Sequence, residues 1–171
     1  MNEIIATFIF FFAVIDPIGT IPVFIAVTKN SNPKKKRGIA IKAVVVATFV
    51  LLFFLVAGEI ILDAIDVPLS AFQIAGGIVL FLFALTMIFG ESKPEEEIND
   101  VNAESEKSIF PLAIPSIASP GAMIAAVMLT ENSMFGVWEQ FKTALIMLSV
   151  LLISLTFLLL AGKLFKIIGN S

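Results

Sequence analysis

The sequence predicts an all-α fold, a polytopic transmembrane helical bundle of five spans, and three observations carry that expectation. The 171 residues are 58% hydrophobic and 15% charged, against about 45–50% and about 25% in an ordinary soluble domain. The charges cluster, leaving apolar stretches of the roughly 20 residues that cross a hydrocarbon core about 30 Å thick. Those stretches are separated by loops of alternating charge character, as topology in a bilayer requires. With no Cys and a net charge of −3, the composition excludes a disulfide scaffold and gives no basic face for nucleic acid.

The spans are expected at residues 4–27, 43–62, 70–89, 110–130 and 144–161, all in one membrane domain covering 1–171. The first is interrupted by Asp16-Pro17-Ile18-Gly19-Thr20-Ile21-Pro22, and the fourth contains Pro111, Pro115 and Ser119-Pro120-Gly121. The second and third are uninterrupted, and the fifth carries Ser149, Ser154 and Thr156, hydroxyls that in a helix bond back to the preceding turn. Residues 90–108 form an acidic linker, read as solvated and cytoplasmic, and they divide the chain into two halves. Lys29, Lys34, Lys35, Lys36, Arg37, Lys42, Lys93, Lys107, Lys163 and Lys166 all fall on one side, leaving Lys142 opposite. The positive-inside rule makes that side cytoplasmic, with the N-terminus outside and the C-terminus inside. Glu3 and the lack of an early Lys or Arg argue against a cleaved signal peptide.

Each half opens with a broken span. An ungapped offset of 102 residues pairs Phe8 with Phe110, Ile15 with Ile117, Gly19 with Gly121 and Thr28 with Thr130, and likewise Asn30 with Asn132 and Ser31 with Ser133. A three-span unit has odd parity, so a second copy enters the membrane from the other side: an inverted three-helix repeat, as in many secondary transporters. On that arithmetic the counterpart of span 70–89 belongs near 172–191, and the expectation is a repeat whose last helix is missing. Ala118, Ala122 and Ala126 form a small-residue stripe for close helix packing, and the missing helix is expected to leave that stripe or a neighbouring face without its partner.

Asp16 is the deepest carboxylate, and Asp at a span centre costs roughly 2.5–3.5 kcal/mol on insertion scales. Pro17 withholds a backbone donor and frees the carbonyl one turn back. One reading makes Asp16, Pro17, Gly19, Thr20 and Pro22 an ion site at the break, matched by Pro115, Ser119, Pro120 and Gly121 as the substrate half. The other makes the first span a kinked helix with Asp16 neutral or capped by the following amides. Gln73, Gly76 and Gly77 join the candidate pathway on the third span, although Gly in such a helix also serves contact between helices. Glu59, Asp63 and Asp66 read as a solvated helix end. Catalysis is not expected: His is absent, no phosphate-binding loop occurs, and a single deep carboxylate makes no aspartyl dyad. No cofactor and no metal site is expected.

Three ordered motifs then carry a resemblance. Asp16-Pro17-Ile18-Gly19-Thr20-Ile21-Pro22-Val23-Phe24, Phe72-Gln73-Ile74-Ala75-Gly76-Gly77-Ile78-Val79-Leu80-Phe81, and Phe110-Pro111-Leu112-Ala113-Ile114-Pro115 with Ser119-Pro120-Gly121-Ala122 resemble the MarC family of prokaryotic integral membrane proteins. The resemblance runs over nearly the whole chain. It implies a plasma-membrane location, usually six spans, and a grouping with transporters of small neutral amino acids. Ser119 stands where the family usually has Gly, and the sixth span is not present. The expected function is secondary transport of small solutes, neutral amino acids above all, with H⁺ or Na⁺; the alternative is a non-transporting or truncated relative acting as an assembly partner. The expected partners are the lipid bilayer, the amino acid, the coupling ion and further copies in a homo-oligomer, with no nucleic acid.

Overall fold

The computed structural model describes residues 2–29, 31–89, 108–130 and 136–168. The linker residues 90–107 and the pairings that used Asn30, Asn132 and Ser133 lie outside them. The described residues form α1 (Asn2–Ile15), α2 (Thr20–Val27), α3 (Pro33–Ala64), α4 (Leu69–Phe89), an irregular wound segment (Ser108–Ile117), α5 (Pro120–Met128) and α6 (Val137–Ile168). All described elements are helical, as the apolar runs predict.

Among the described residues, Glu3–Val27, Pro33–Ala64 and Val137–Ala161 are each long and apolar enough to cross a bilayer. The Ser108–Ile117 segment and α5 add a fourth span if taken together, with a bend of 54° between them. The helices outrun the expected spans. Asn32 caps α3 by accepting the Lys35 N–H at 2.9 Å, with Pro33 at the first helical position, so the helix begins ten residues before the apolar run and carries Lys34 to Arg37 in its opening turns. At its far end Asp66 takes a left-handed conformation (φ 54°) and the Val67 N–H returns to the Leu62 carbonyl at 3.0 Å, a glycine-free helix stop.

The Ser108–Ile117 segment departs from a regular helix over a longer stretch than the break expected at Ser119-Pro120-Gly121. Pro111 and Pro115 cannot donate, and Phe110 and Ile114 before them are extended (φ −120° and −131°), as a residue preceding proline prefers. Both X–Pro bonds are cis. The winding widens, so the Ala118 N–H reaches the Ala113 carbonyl five residues back at 2.8 Å.

The packing follows a pattern of exchange. α3 packs on α5, on the Ser108–Ile117 segment and on α6; α6 packs on α2, on α1 and on α3; α1 meets α5, and α2 meets the Ser108–Ile117 segment. Exchanging α1 with the segment, α2 with α5 and α3 with α6 returns the same set of neighbours. The further contact, α4 on α5, has no mate under this exchange. Ala40, Ala43 and Ala47 on α3 and Ala118, Ala122, Ala125 and Ala126 around α5 are fully buried. Without a hydrophobic drive between helices in lipid, this close backbone approach is what holds them together. The Ala118, Ala122 and Ala126 stripe is therefore packed by the elements described, so of the two faces expected to lack a partner the stripe is not one.

Outward faces are apolar. Phe49, Phe53, Val56 and Ile60 are 55–71% exposed along one stripe of α3, a surface that only lipid solvates well. At Gly58 a Cβ would overlap Val127 of α5, whereas Gly38 on the same helix has open space around it. Val127 is β-branched and stiff at χ1. Gly58→Leu is therefore expected to destabilise the protein by about 1–3 kcal/mol through overpacking, while Gly38→Ala leaves it unchanged or slightly more stable; melting curves in detergent check the contrast.

Candidate functional site

The two breaks are built alike and touch each other. α1 ends when Asp16, in a left-handed conformation (φ 47°), turns the chain; Asp tolerates this region better than most residues. Its Oδ1 accepts the Gly19 N–H at 2.9 Å, and its carbonyl accepts both the Thr20 N–H at 3.1 Å and the Thr20 hydroxyl at 2.8 Å. Pro17 between them is completely buried. The carboxylate lies so close over Gly19 that a Cβ there would overlap it, which is why the third residue after Asp16 is glycine. In the second half Ser119 plays the same part: its Oγ accepts the Ala122 N–H at 3.1 Å with Pro120 at the first helical position.

Ser119 does something further. Its hydroxyl donates to the Val14 carbonyl at 2.7 Å, joining the end of α1 to the start of α5 across 105 residues of sequence. Val14 lies in the last turn of α1, where carbonyls lack intrahelical donors because the helix ends at Ile15. The hydroxyl is 1% exposed, so this bond is made away from solvent.

The cap geometry also corrects the register of the two halves. Ile15 and Ile117, both fully buried, end their segments 102 residues apart, but the capping residues Asp16 and Ser119 are 103 apart and Gly19 corresponds to Ala122 instead of Gly121. The extra residue is taken up by the wide turn from Ala113 to Ala118. The offset returns to 102 at Thr28 and Thr130, both buried, whose hydroxyls donate to Phe24 and Ala126 carbonyls at 2.7 and 2.6 Å.

Asp16, Pro17, Gly19, Thr20, Ser119, Pro120 and Gly121 are thus gathered at the two breaks. Pro22 and Pro115 lie on exposed faces. On α4, Gly76 is buried where a Cβ would stand 2.8 Å from the Ile124 side chain of α5, while Gln73 is exposed and Gly77 has open space around it. Gly76 serves close packing. Ser149 and Thr156 bond back to Ile146 and Leu152 carbonyls as expected, but the fully buried Ser154 hydroxyl has no hydrogen-bond partner among the described residues. Sequence reasoning missed the Val14 carbonyl and treated Thr28 and Thr130 only as matched letters; their identity at a fixed offset was the available signal. A cavity of about 450 Å³ with a mixed lining lies at the N-terminal ends of α1 and α6, where Glu3, Glu139 and Lys142 stand beside Ile4, Leu129 and Ile146.

Apolar helices whose outward faces suit lipid, arranged around a pair of hydrogen-bonded chain breaks, define a polytopic α-helical integral membrane protein. The chain belongs to the MarC family: the model for MarC family integral membrane proteins matches residues 1–171. Among curated proteins it is 34% identical over 170 residues to a UPF0056 membrane protein of Buchnera aphidicola from Schizaphis graminum, covering 99% of this chain and 84% of that one. It is 38% identical to a UPF0056 membrane protein of Methanocaldococcus jannaschii with the same coverages. It is also 38% identical over 132 residues to the UPF0056 inner membrane protein YhgN of Escherichia coli, covering 77% of this chain and 66% of that one. No solved structure matches.

Ser119→Ala removes both the cap on Ala122 and the bond to Val14, leaving a half-buried carbonyl without that donor; it is expected to cost about 2–3 kcal/mol, the sum of one cap and one hydrogen bond. Gly19→Ala is expected to destabilise by displacing the Asp16 carboxylate, and Gly77→Ala to gain up to about 1 kcal/mol from helix propensity alone. Thermal unfolding of the three purified variants in one detergent separates these outcomes.

Proposed function

We propose that the chain works as a secondary transporter of small solutes, the substrate class being neutral amino acids, with H⁺ or Na⁺ as the coupling ion. The observation that carries the reading is the hydrogen-bonded meeting of the two breaks, Ser119 to Val14. Broken helices that expose backbone groups inside a membrane protein are tolerated where they are buried or line a path, and transporters use them for substrate and ion. In this reading Asp16 and the Ala13 carbonyl, which loses its helical donor to Pro17, hold the ion. The amides opening α2 and α5, with Ser119, receive the substrate carboxylate. The exchange of neighbours between the halves supports an inverted repeat, and rocking of one half against the other would require the Ser119–Val14 bond to open and reform.

The same reading carries five spans, α4 being the third, with the N-terminus outside and the C-terminus cytoplasmic. Support comes from Lys34, Lys35, Lys36 and Arg37 at the start of α3. The name of the E. coli relative, an inner membrane protein, supports the plasma membrane as the location.

Proteoliposomes holding the full chain should accumulate labelled alanine or glycine when a proton or sodium gradient is imposed. Asp16→Asn should lower uptake roughly tenfold or more, equivalent to about 1.4 kcal/mol or more in the limiting step. Equal uptake by wild type and empty vesicles overturns the transport reading. A reporter fused after Ser171 should read cytoplasmic and one inserted at Asp66 external; the opposite pattern reverses the orientation.

A further inference from the structure

A second cavity, of about 680 Å³, opens where α2, α3 and α6 come together, lined by Phe24, Ser31, Pro33, Lys36, Arg37, Leu158 and Leu159. Its volume is in the ordinary range for a small-molecule site. Its two sides differ in chemistry. Phe24 and Leu158 are buried at 3% and 1% exposure and make an apolar floor; Lys36, Arg37 and the Ser31 hydroxyl make a polar, cationic rim. No carboxylate occurs among the described lining residues.

The position along the helices explains that division. The apolar run of α3 begins at Ala43, so Lys36 and Arg37 stand seven and six residues before it, about 9–10.5 Å beyond the hydrocarbon edge at about 1.5 Å per residue. With a core about 30 Å thick and about 40–45 Å including headgroups, the headgroup layer is about 5–7.5 Å deep on each side; the two backbone positions stand just outside it, from where the long Lys and Arg side chains reach back to the phosphates. Leu158 and Leu159 are in the last turn of the apolar run of α6, just inside the same edge. The floor is thus at the depth of acyl chains, and the rim side chains are within reach of the phosphates. Leu159 is 44% exposed and continues, one heptad back, to Leu152 at 62%, so an apolar track leads from the floor down the outside of α6.

We propose that this cavity is a binding site for an acidic phospholipid, with the phosphate held by Lys36, Arg37 and Ser31 and one acyl chain laid on Phe24, Leu158 and Leu159. A free phosphate uses only the rim and leaves the apolar floor wet. A zwitterionic lipid brings an ammonium group to a rim without a counter-charge. Arg37 can meet the phosphate through two parallel N–H bonds, and Lys36 acts as a point charge. The site is independent of the transport reading: it requires the protein only to sit in a bilayer.

The test uses the full chain, purified and analysed by native mass spectrometry with phosphatidylglycerol and phosphatidylcholine in equal amounts. The wild type should retain phosphatidylglycerol in preference. Lys36→Gln/Arg37→Gln should weaken that retention by roughly tenfold or more, since each cation at an anionic surface contributes a comparable factor. Lys34→Gln/Lys35→Gln removes the same charge from the same turns outside the cavity and should change it little. Equal losses in the two double variants reduce the effect to general attraction and overturn the site. Suppression of lipid retention by millimolar inorganic phosphate assigns the rim to a free anion and overturns it also. Should Lys36→Gln/Arg37→Gln fail to fold, Leu159→Trp in a Trp138→Phe background decides: phosphatidylglycerol brominated in its acyl chain should quench the new tryptophan more than brominated phosphatidylcholine does, and equal quenching rejects the assignment.

Discussion

In a hydrocarbon interior every backbone N–H and C=O must find its partner within the protein. A chain that breaks two of its helices inside such an interior has to satisfy the freed groups somewhere, and this chain does so by bringing the breaks together. Asp16 turns its carboxylate and its carbonyl onto Gly19 and Thr20, and Ser119 accepts the Ala122 amide while donating to Val14. The Ser119–Val14 bond links the halves, so the position of α5 against α1 follows from where the end of α1 leaves the Val14 carbonyl without its helical donor.

Close packing around that link has its own chemistry. Small residues bring the backbones of α3 and α5 near one another, and Gly58 and Gly76 admit Val127 and Ile124 of α5 where any side chain would collide. α5 is only nine residues long, too short to be stable by its own hydrogen bonds in water. It is held by neighbours on three sides: α1, α3 and α4. Its counterpart α2 meets α6 and the Ser108–Ile117 segment, and the difference between the two is the contact made by α4.

The relation between the halves is close in architecture and inexact in register. A bulge of one residue before Ser119, and one residue fewer between Pro120 and Thr130 than between Pro17 and Thr28, leave the buried end residues matched at 102 while the caps match at 103. Such a shift costs little where a wide turn absorbs it, and it preserves what matters physically: a side-chain acceptor three residues ahead of an amide, with proline between them.

Much of this was legible in the sequence because the bilayer imposes simple arithmetic. Run length, clustered charge and the placement of Pro and Gly are enough to identify a helical membrane protein with two broken helical stretches and the residues Asp16, Pro17, Ser119 and Pro120 at the breaks. Helix ends were less legible: nothing in the apolar run of α3 announces that Asn32 and Pro33 start the helix ten residues early. The partner of Ser119 was not legible at all, since it is a backbone carbonyl, and every residue carries one. Only the tertiary structure could select Val14, turn Gln73 and Gly77 outward while burying Gly76, and leave Ser154 without a partner among the described residues, because those outcomes depend on which helix faces lie against each other. Hydropathy determines that a helix is buried in a membrane. It does not determine which of its faces meets protein, because lipid and an apolar side chain are nearly equivalent surroundings.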